Sequence, residues 1–168
     1  MHTVSSMAVP VVENPFAVLT LIAAPAVFTN ASSVLALGTG NRLARVVDRT
    51  RVLSQTLHSN PPEPAEGAMW GRHIERLEKR AELLVRAMSF FYTAVGAFAA
   101  ASLVSLLGAS LAGSRYNLPF TVIAGISFIV GIIGFLGLSL GCTLLVRETR
   151  LALLNHHEEA RLAKSWLK

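Results

Sequence analysis

Three long stretches without any charged side chain constrain this chain more than any other feature. Asp, Glu, Lys and Arg are absent from residues 14–40, 87–114 and 116–146. Each stretch exceeds the roughly 20 residues with which an α-helix crosses about 30 Å of hydrocarbon. In a chain of 168 residues, 52% of them hydrophobic, too little amphipathic sequence remains to cover three such helices in a soluble core. The sequence therefore predicts an all-α integral membrane protein with three transmembrane helices.

The 15 lysines and arginines lie almost entirely on one side of the predicted spans. Nine fall between spans one and two, five follow span three, and only Arg115 lies between spans two and three. Because basic residues are enriched in loops that remain in the cytoplasm, the middle connector and the C-terminal end are predicted to be cytoplasmic, with the N-terminus outside. The first helix has no basic segment before it and is too long for a signal peptide, so we expect it to remain as a span.

These patterns divide the chain into seven predicted segments. The segments are an external tail (1–13), transmembrane helix one (14–40), a cytoplasmic helical hairpin (41–86), transmembrane helix two (87–114), an external link (115–119), transmembrane helix three (120–146) and a cytoplasmic C-terminal helix (147–168).

The predicted cytoplasmic parts carry a heptad pattern. Nothing stops the first helix after residue 40 until SNPPEPAEG, residues 59–67, where prolines and glycine predict a turn. On the return, apolar residues recur at alternating steps of four and three. They are Trp70, Ile74, Leu77, Ala81, Leu84 and Met88. We expect a three-helix, coiled-coil-like cytoplasmic bundle in which Ile74, Leu77 and Leu84 make packing contacts.

Arginines stand at the cytoplasmic end of every predicted span: Arg42 and Arg45 after the first, Arg86 before the second and Arg147 after the third. The pattern favours a membrane boundary followed by the solvated face of the bundle, and it is compatible with binding of anionic lipid headgroups. Nucleic-acid binding is disfavoured, since the basic segments have few aromatic side chains on which bases could stack.

Span three contains regularly spaced glycines. Gly131, Gly134, Gly137 and Gly141 form a groove of small residues, and such spacing allows helix backbones to approach closely in lipid. The groove is predicted to pack helices within one subunit, between subunits, or both.

Span one carries a polar stripe. At about 100° per residue its members fall within a sector of about 140°, with Glu13 at the outer edge. They are Thr20, Ala23, Asn30, Ser33, Leu37 and Asn41. In one interpretation the polar side chains form hydrogen bonds to spans two and three. In the other the stripe lines a pore, with Leu37 as an apolar constriction and Asn41 at the inner mouth. Three helices cannot enclose a pathway alone, so a pore requires a homo-oligomer.

No set of residues supports catalysis. The spans hold no charged side chain, which disfavours ion-coupled carriers. The segment GTGN, residues 38–41, lacks the lysine of a phosphate-binding loop, and His157-Glu158 lacks the second histidine of a zinc-protease motif. The lone Cys142 excludes an intrachain disulfide. We expect no enzyme, no cofactor and no metal site.

The run ENPFAVLTLIAAPAVFTNASSVLALGTGNRLARVVDRTRVL, together with the heptad segment and the glycine-rich last span, resembles a family of small bacterial three-span membrane proteins of unknown function, domain of unknown function 2721. The resemblance implies a bacterial inner-membrane location. It implies no activity and no functional residue.

The leading hypothesis is a homo-oligomeric ion channel lined by span one, with the cytoplasmic bundle for assembly or gating. The alternative is a non-conducting scaffold or regulatory membrane protein that binds a cytoplasmic protein through the bundle. Expected partners are the lipid bilayer, anionic lipids and further copies of the chain, but not nucleic acid. Ion selectivity is left open, since Glu13 outside favours cations whereas Arg42 and Arg45 inside favour anions.

Overall fold

The structure, a computed structural model, consists of three long helices. It describes the backbone of residues 15–59, 61, 64–111 and 117–166, and the side chains of residues 23–59, 61, 67, 69–108 and 122–153. Helix α1 is Pro15–Ser59, α2 is Pro64–Leu111 and α3 is Asn117–Trp166. The described backbone contains no strand, so the prediction of an all-helical chain is confirmed. The predicted tail 1–13 and the start of the link 115–119 lie outside the described residues.

Each helix is more than twice as long as the hydrocarbon core of a bilayer is thick, about 30 Å. With 45, 48 and 50 residues, the helices measure about 68 to 75 Å at 1.5 Å per residue. All three run without interruption across the predicted inner membrane boundary. Proline begins both α1 and α2, where its missing N–H leaves no helical hydrogen bond unmade, and α1 also continues through Pro25.

Helix α2 packs along both neighbours, whereas α1 and α3 contact each other far less. In one buried cluster Ala36 of α1 meets Ala87 and Phe91 of α2. In a second cluster, further along α1 but earlier in α2, Val46 meets Leu77 and Leu84. Adjacent helices therefore run antiparallel, as short connections between them require.

Glycines allow α3 to approach α2 closely. A β-carbon added at Gly137 would lie 3.1 Å from the carbonyl oxygen of Phe90, and one at Gly141 would lie 2.6 Å from the ring of Phe91. A β-carbon at Gly134 would lie 3.0 Å from the ring of Phe98, whereas one at Gly131 would have no atom within 4 Å. The predicted groove therefore contacts α2 over its last three glycines.

Two described stretches are long and apolar enough to cross a membrane. They are Met69–Gly108 and Val122–Leu153, with mean hydropathies of 1.8 and 2.4 in their most apolar windows. Only 28% and 17% of those windows are buried, although an equally apolar helix in a soluble core would be mostly buried. Large apolar side chains such as Leu103, Phe128 and Phe135 point outward instead, a pattern typical of helices that face lipid.

Hydroxyl groups in the apolar segments are bonded mainly within their own helices. Thr29 donates to the carbonyl of Pro25 at 2.9 Å, and similar bonds recur along all three helices. Ser105 and Ser127 instead form a buried pair, 2.7 Å apart, that links α2 to α3. Such bonds matter because an unpaired polar group in a lipid-like environment is costly. Among the described residues, the buried hydroxyl of Ser32 has no partner.

Candidate functional site

Helix α1 has two opposite faces with different roles. Its packing face is a seam at alternating steps of four and three residues, in which Ser32, Ala36, Thr39 and Val46 are buried. The same spacing runs on through the half-buried Leu53. The seam therefore continues from the uncharged stretch 14–40 into the charged part of α1, held by one unbroken helix.

The predicted polar stripe lies on the face opposite to this seam. At about 100° per residue the centres of the two faces differ by about 180°. The side chains of Ala23, Asn30, Ser33, Leu37 and Asn41 are all exposed in the single chain, and Leu37 retains 68% of its accessible surface. Ser33 donates to the carbonyl of Thr29 in its own helix. The described part of the stripe therefore points away from α2 and α3, while Glu13 and the Thr20 side chain lie outside the described residues.

An arginine-lined cleft opens where the uncharged stretches end. Its volume is about 430 Å³. Helix α1 contributes three arginines at successive turns, α2 contributes one, and α3 contributes a carboxylate and a hydroxyl. These side chains are Arg42, Arg45, Arg49, Arg80, Glu148 and Thr149. The lining thus has three more positive than negative charges. This excess of positive charge strongly favours binding of an anion.

Glu148 joins the three helices at this cleft. Its side chain is only 4% exposed, and one carboxylate oxygen, Oε1, accepts hydrogen bonds from Nε and Nη2 of Arg80 at 2.9 and 2.7 Å. The other oxygen, Oε2, lies 3.8 Å from Nη1 of Arg42. The Arg80 contact is short and charge-assisted, and both of its hydrogen bonds go to the same carboxylate oxygen. The Arg42 contact is too long for a hydrogen bond and is mainly Coulombic.

A family model for proteins of unknown function, DUF2721, matches residues 22–157. The chain belongs to this DUF2721 family. The match includes the seam, the described part of the polar stripe and the whole arginine cleft. Curated proteins and solved structures give no match.

The sequence patterns of this DUF2721 protein did not predict that Arg80 and Glu148 form a pair. Both carry a spacing signal: Glu148 stands seven residues after Gly141 and so continues the glycine face, and Arg80 stands between Leu77 and Leu84 at the edge of the heptad. The charge of Glu148 gave no indication that its side chain is buried. Position on a buried face was the more informative property.

The predicted boundary and packing residues differ in their surroundings. Arg86 and Arg147 are exposed, as are Arg42 and Arg45, and Arg86 forms an ion pair with Glu82 one turn earlier. Leu77 and Leu84 are buried, while Ile74 is half-buried.

The outer faces of the charged helical parts carry ordinary exposed ion pairs. Lys79 donates to Glu75 at 2.7 Å, and this hydrogen bond, together with the lysine's charge, lowers the pKa of the Glu75 carboxyl. Both side chains are about 60% exposed, so the pair contributes little to stability. It contrasts with the buried Arg80–Glu148 pair nearby.

A second and larger cavity lies between the apolar parts of the helices. It has a volume of about 820 Å³ and is lined by side chains such as Pro25, Phe28, Phe98 and Ile132. Its hydroxyls, Ser105 and Ser127, bond to each other, so they do not offer a free polar anchor. Among the described residues no group of three or more His, Cys, Asp and Glu could hold a metal ion. The arginine cleft is therefore the described cavity with charged ligand-binding groups.

Proposed function

We propose that this DUF2721 protein is a homo-oligomeric ion channel of the bacterial inner membrane, with α1 of each subunit lining the pathway. The observation that carries the proposal is the outward position of Asn30, whose amide lies within the uncharged stretch 14–40 of α1. An amide left without partners in hydrocarbon costs about 2 to 7 kcal/mol. That cost is avoided when the stripe faces water or the amides of another subunit, rather than lipid.

The proposed arrangement has three spans, with residues 14–40 as the third one beside the two apolar stretches of α2 and α3. Support comes from the absence of charge in 14–40 and from the basic residues, which fall on one side of all three spans. By the positive-inside rule the N-terminus is then external and the charged helical parts are cytoplasmic.

In this proposal the cytoplasmic extensions form a coiled-coil-like bundle for assembly or gating. Val46, Leu77 and Leu84 are buried together within one chain, so a movement of α1 at the membrane is transmitted along one continuous helix to the seam. The same burial weighs against the scaffold alternative. A partner docking on Leu77 would have to displace α1, because that side chain is only 2% exposed.

Ion flux in liposomes tests the proposal. Leu37 is the largest apolar side chain of the described stripe, so Leu37→Ser is expected to raise the flux of small ions severalfold by wetting the constriction. Leu140→Ser is the matched control. Leu140 lies on α3 next to Gly141, at the depth of the Ala36–Phe91 cluster, and is 50% exposed. Flux that is absent in the unchanged protein and in both variants would contradict a channel, and an equal rise in both variants would indicate leakage rather than a pore.

A further inference from the structure

We propose that the arginine cleft binds the phosphate of an anionic lipid from the cytoplasmic leaflet. The inference rests on the membrane placement proposed above but not on ion conduction. The carrying observation is a cleft of about 430 Å³ between three helices, with guanidinium groups on two of its walls. A phosphate offers several acceptor oxygens, and the planar fork of arginine matches them with paired hydrogen bonds.

The arginines of α1 share one face of the helix. Arg42, Arg45 and Arg49 follow at steps of three and four residues, so their side chains project along about 10 Å of the same edge. This edge lies between the buried seam and the polar stripe of α1. A ligand held there would contact α1 directly without entering the proposed pathway.

The carboxylate of the cleft does not neutralise this edge. Glu148 is engaged by two hydrogen bonds from Arg80 through a single oxygen, Oε1. Arg42 approaches the other oxygen only to 3.8 Å and reaches the hydroxyl of Thr149 at 3.5 Å. Thr149 donates its own proton to the carbonyl of Leu145. Arg42 therefore keeps donors for an incoming anion, while Glu148 holds Arg80 in the wall.

The depth of the cleft favours a lipid phosphate over a soluble one. Arg42 and Glu148 each stand two residues beyond the end of an uncharged stretch, and Arg80 stands seven residues before the start of one. At 1.5 Å per residue this places the cleft within about 3 to 10 Å of the hydrocarbon. The headgroup layer is roughly 5 to 8 Å thick on each side, so phosphates of the inner leaflet lie at the level of the cleft.

The size of the cleft fits a hydrated headgroup. At about 30 Å³ per water molecule the volume corresponds to roughly 14 waters, enough for a phosphodiester with part of its glycerol. Apolar side chains at its floor, Val46 and Leu77, suit the carbon atoms of such a group. The cleft can thus accommodate both the phosphate of the headgroup and the glycerol carbon atoms next to it.

Native mass spectrometry of the full chain in detergent tests the site by counting bound lipids during titration with phosphatidylglycerol. The double variant R42Q/R45Q is expected to weaken binding about tenfold or more, since each charge-assisted bond contributes on the order of a factor of ten. The control R86Q/R147Q removes the same charge at the same boundary but outside the cleft, and should change the affinity less than about twofold. Equal losses in both variants would overturn the site and show surface charge alone.

Two further arms identify the ligand and guard against misfolding. Phosphatidylcholine should bind at least tenfold more weakly, because its headgroup carries no net charge; equal binding would overturn recognition of an anion. Inorganic phosphate at millimolar concentration should leave the bound lipid in place, and displacement would show a site for soluble phosphate instead.

The single variant Arg45→Gln leaves the Glu148 contacts intact. If it keeps full lipid affinity while circular dichroism shows native helix content, the proposal is wrong. Lipid counts do not depend on flux, so the two proposals can fail separately.

Discussion

At the scale of single residues, one buried carboxylate contacts both other helices. Glu148 retains only 3% of its accessible surface and contacts Arg80 on α2 and Arg42 on α1. A buried ion pair is a weak source of net stability, but removing one partner leaves the other without its charge and hydrogen bonds. Glu148 therefore acts mainly by fixing how the three helices meet at the membrane boundary.

Replacing this carboxylate should destabilise the fold. Glu148→Gln leaves two donors of Arg80 facing a neutral amide, and we expect a loss of about 2 to 3 kcal/mol in the free energy of unfolding, reduced from the fully buried case because Arg80 is 21% exposed. Equilibrium unfolding in detergent micelles measures it. The control Glu82→Gln removes an exposed partner of Arg86 and should cost less than about 0.5 kcal/mol. Equal effects of the two substitutions would contradict the role given to Glu148.

At the scale of helices, α2 and α3 are held together by a complementary set of small and aromatic residues. Phe91 is fully buried and occupies the space that a side chain at Gly141 would need. Phe98 lies against Gly134 and also stacks on Phe28 of α1, with ring centroids 5.2 Å apart. The aromatic rings of α2 therefore connect both neighbouring helices.

Adding a single methyl group at this contact tests the packing. In Gly141→Ala the new β-carbon would lie 2.6 Å from the ring of Phe91, which is fully buried. We expect a net loss of about 1 to 2 kcal/mol in stability, after about 1 kcal/mol of gain in helix propensity. Gly131→Ala has the same propensity gain and no atom within 4 Å, so thermal unfolding in detergent should show it unchanged or slightly stabilised. Stabilisation by both variants would contradict the close contact.

The sequence predicted the helices better than the contacts between them. Uncharged length and heptad spacing are local properties, so they indicated an all-helical chain. The predicted turn at residues 59–67 was too long, since α2 already begins at Pro64. The Arg80–Glu148 pair joins residues far apart in the sequence, and its recognition needs the relative rotation of α2 and α3, which no local pattern specifies. Within α1, the projection of Asn30 and Leu37 onto one face could be read from spacing. That this face points outward depends on which seam the neighbours cover.

At the scale of the whole molecule, a single chain exposes two polar features that lipid tails cannot hydrogen-bond. The polar stripe of α1 is exposed among otherwise apolar outward faces, and the arginine cleft opens at the membrane boundary. In the proposed channel, association of several copies around an axis would place the stripe inside and leave the cleft at the headgroups. The proposed channel and the proposed lipid site thus use different edges of the same helix.

Water accessibility of the polar stripe tests whether α1 lines a water-filled pathway. In a Cys142→Ala background, Asn30→Cys and Ile133→Cys are reconstituted separately into liposomes and treated with a charged, water-soluble thiol reagent. Ile133 lies beside Gly134, which packs on Phe98 near Phe28, so it serves as a control at similar depth; its side chain is 49% exposed on α3. A water-filled pathway along α1 predicts rapid labelling of Asn30→Cys and no labelling of Ile133→Cys. An Asn30→Cys side chain as unreactive as the control would contradict a water-filled pathway along α1.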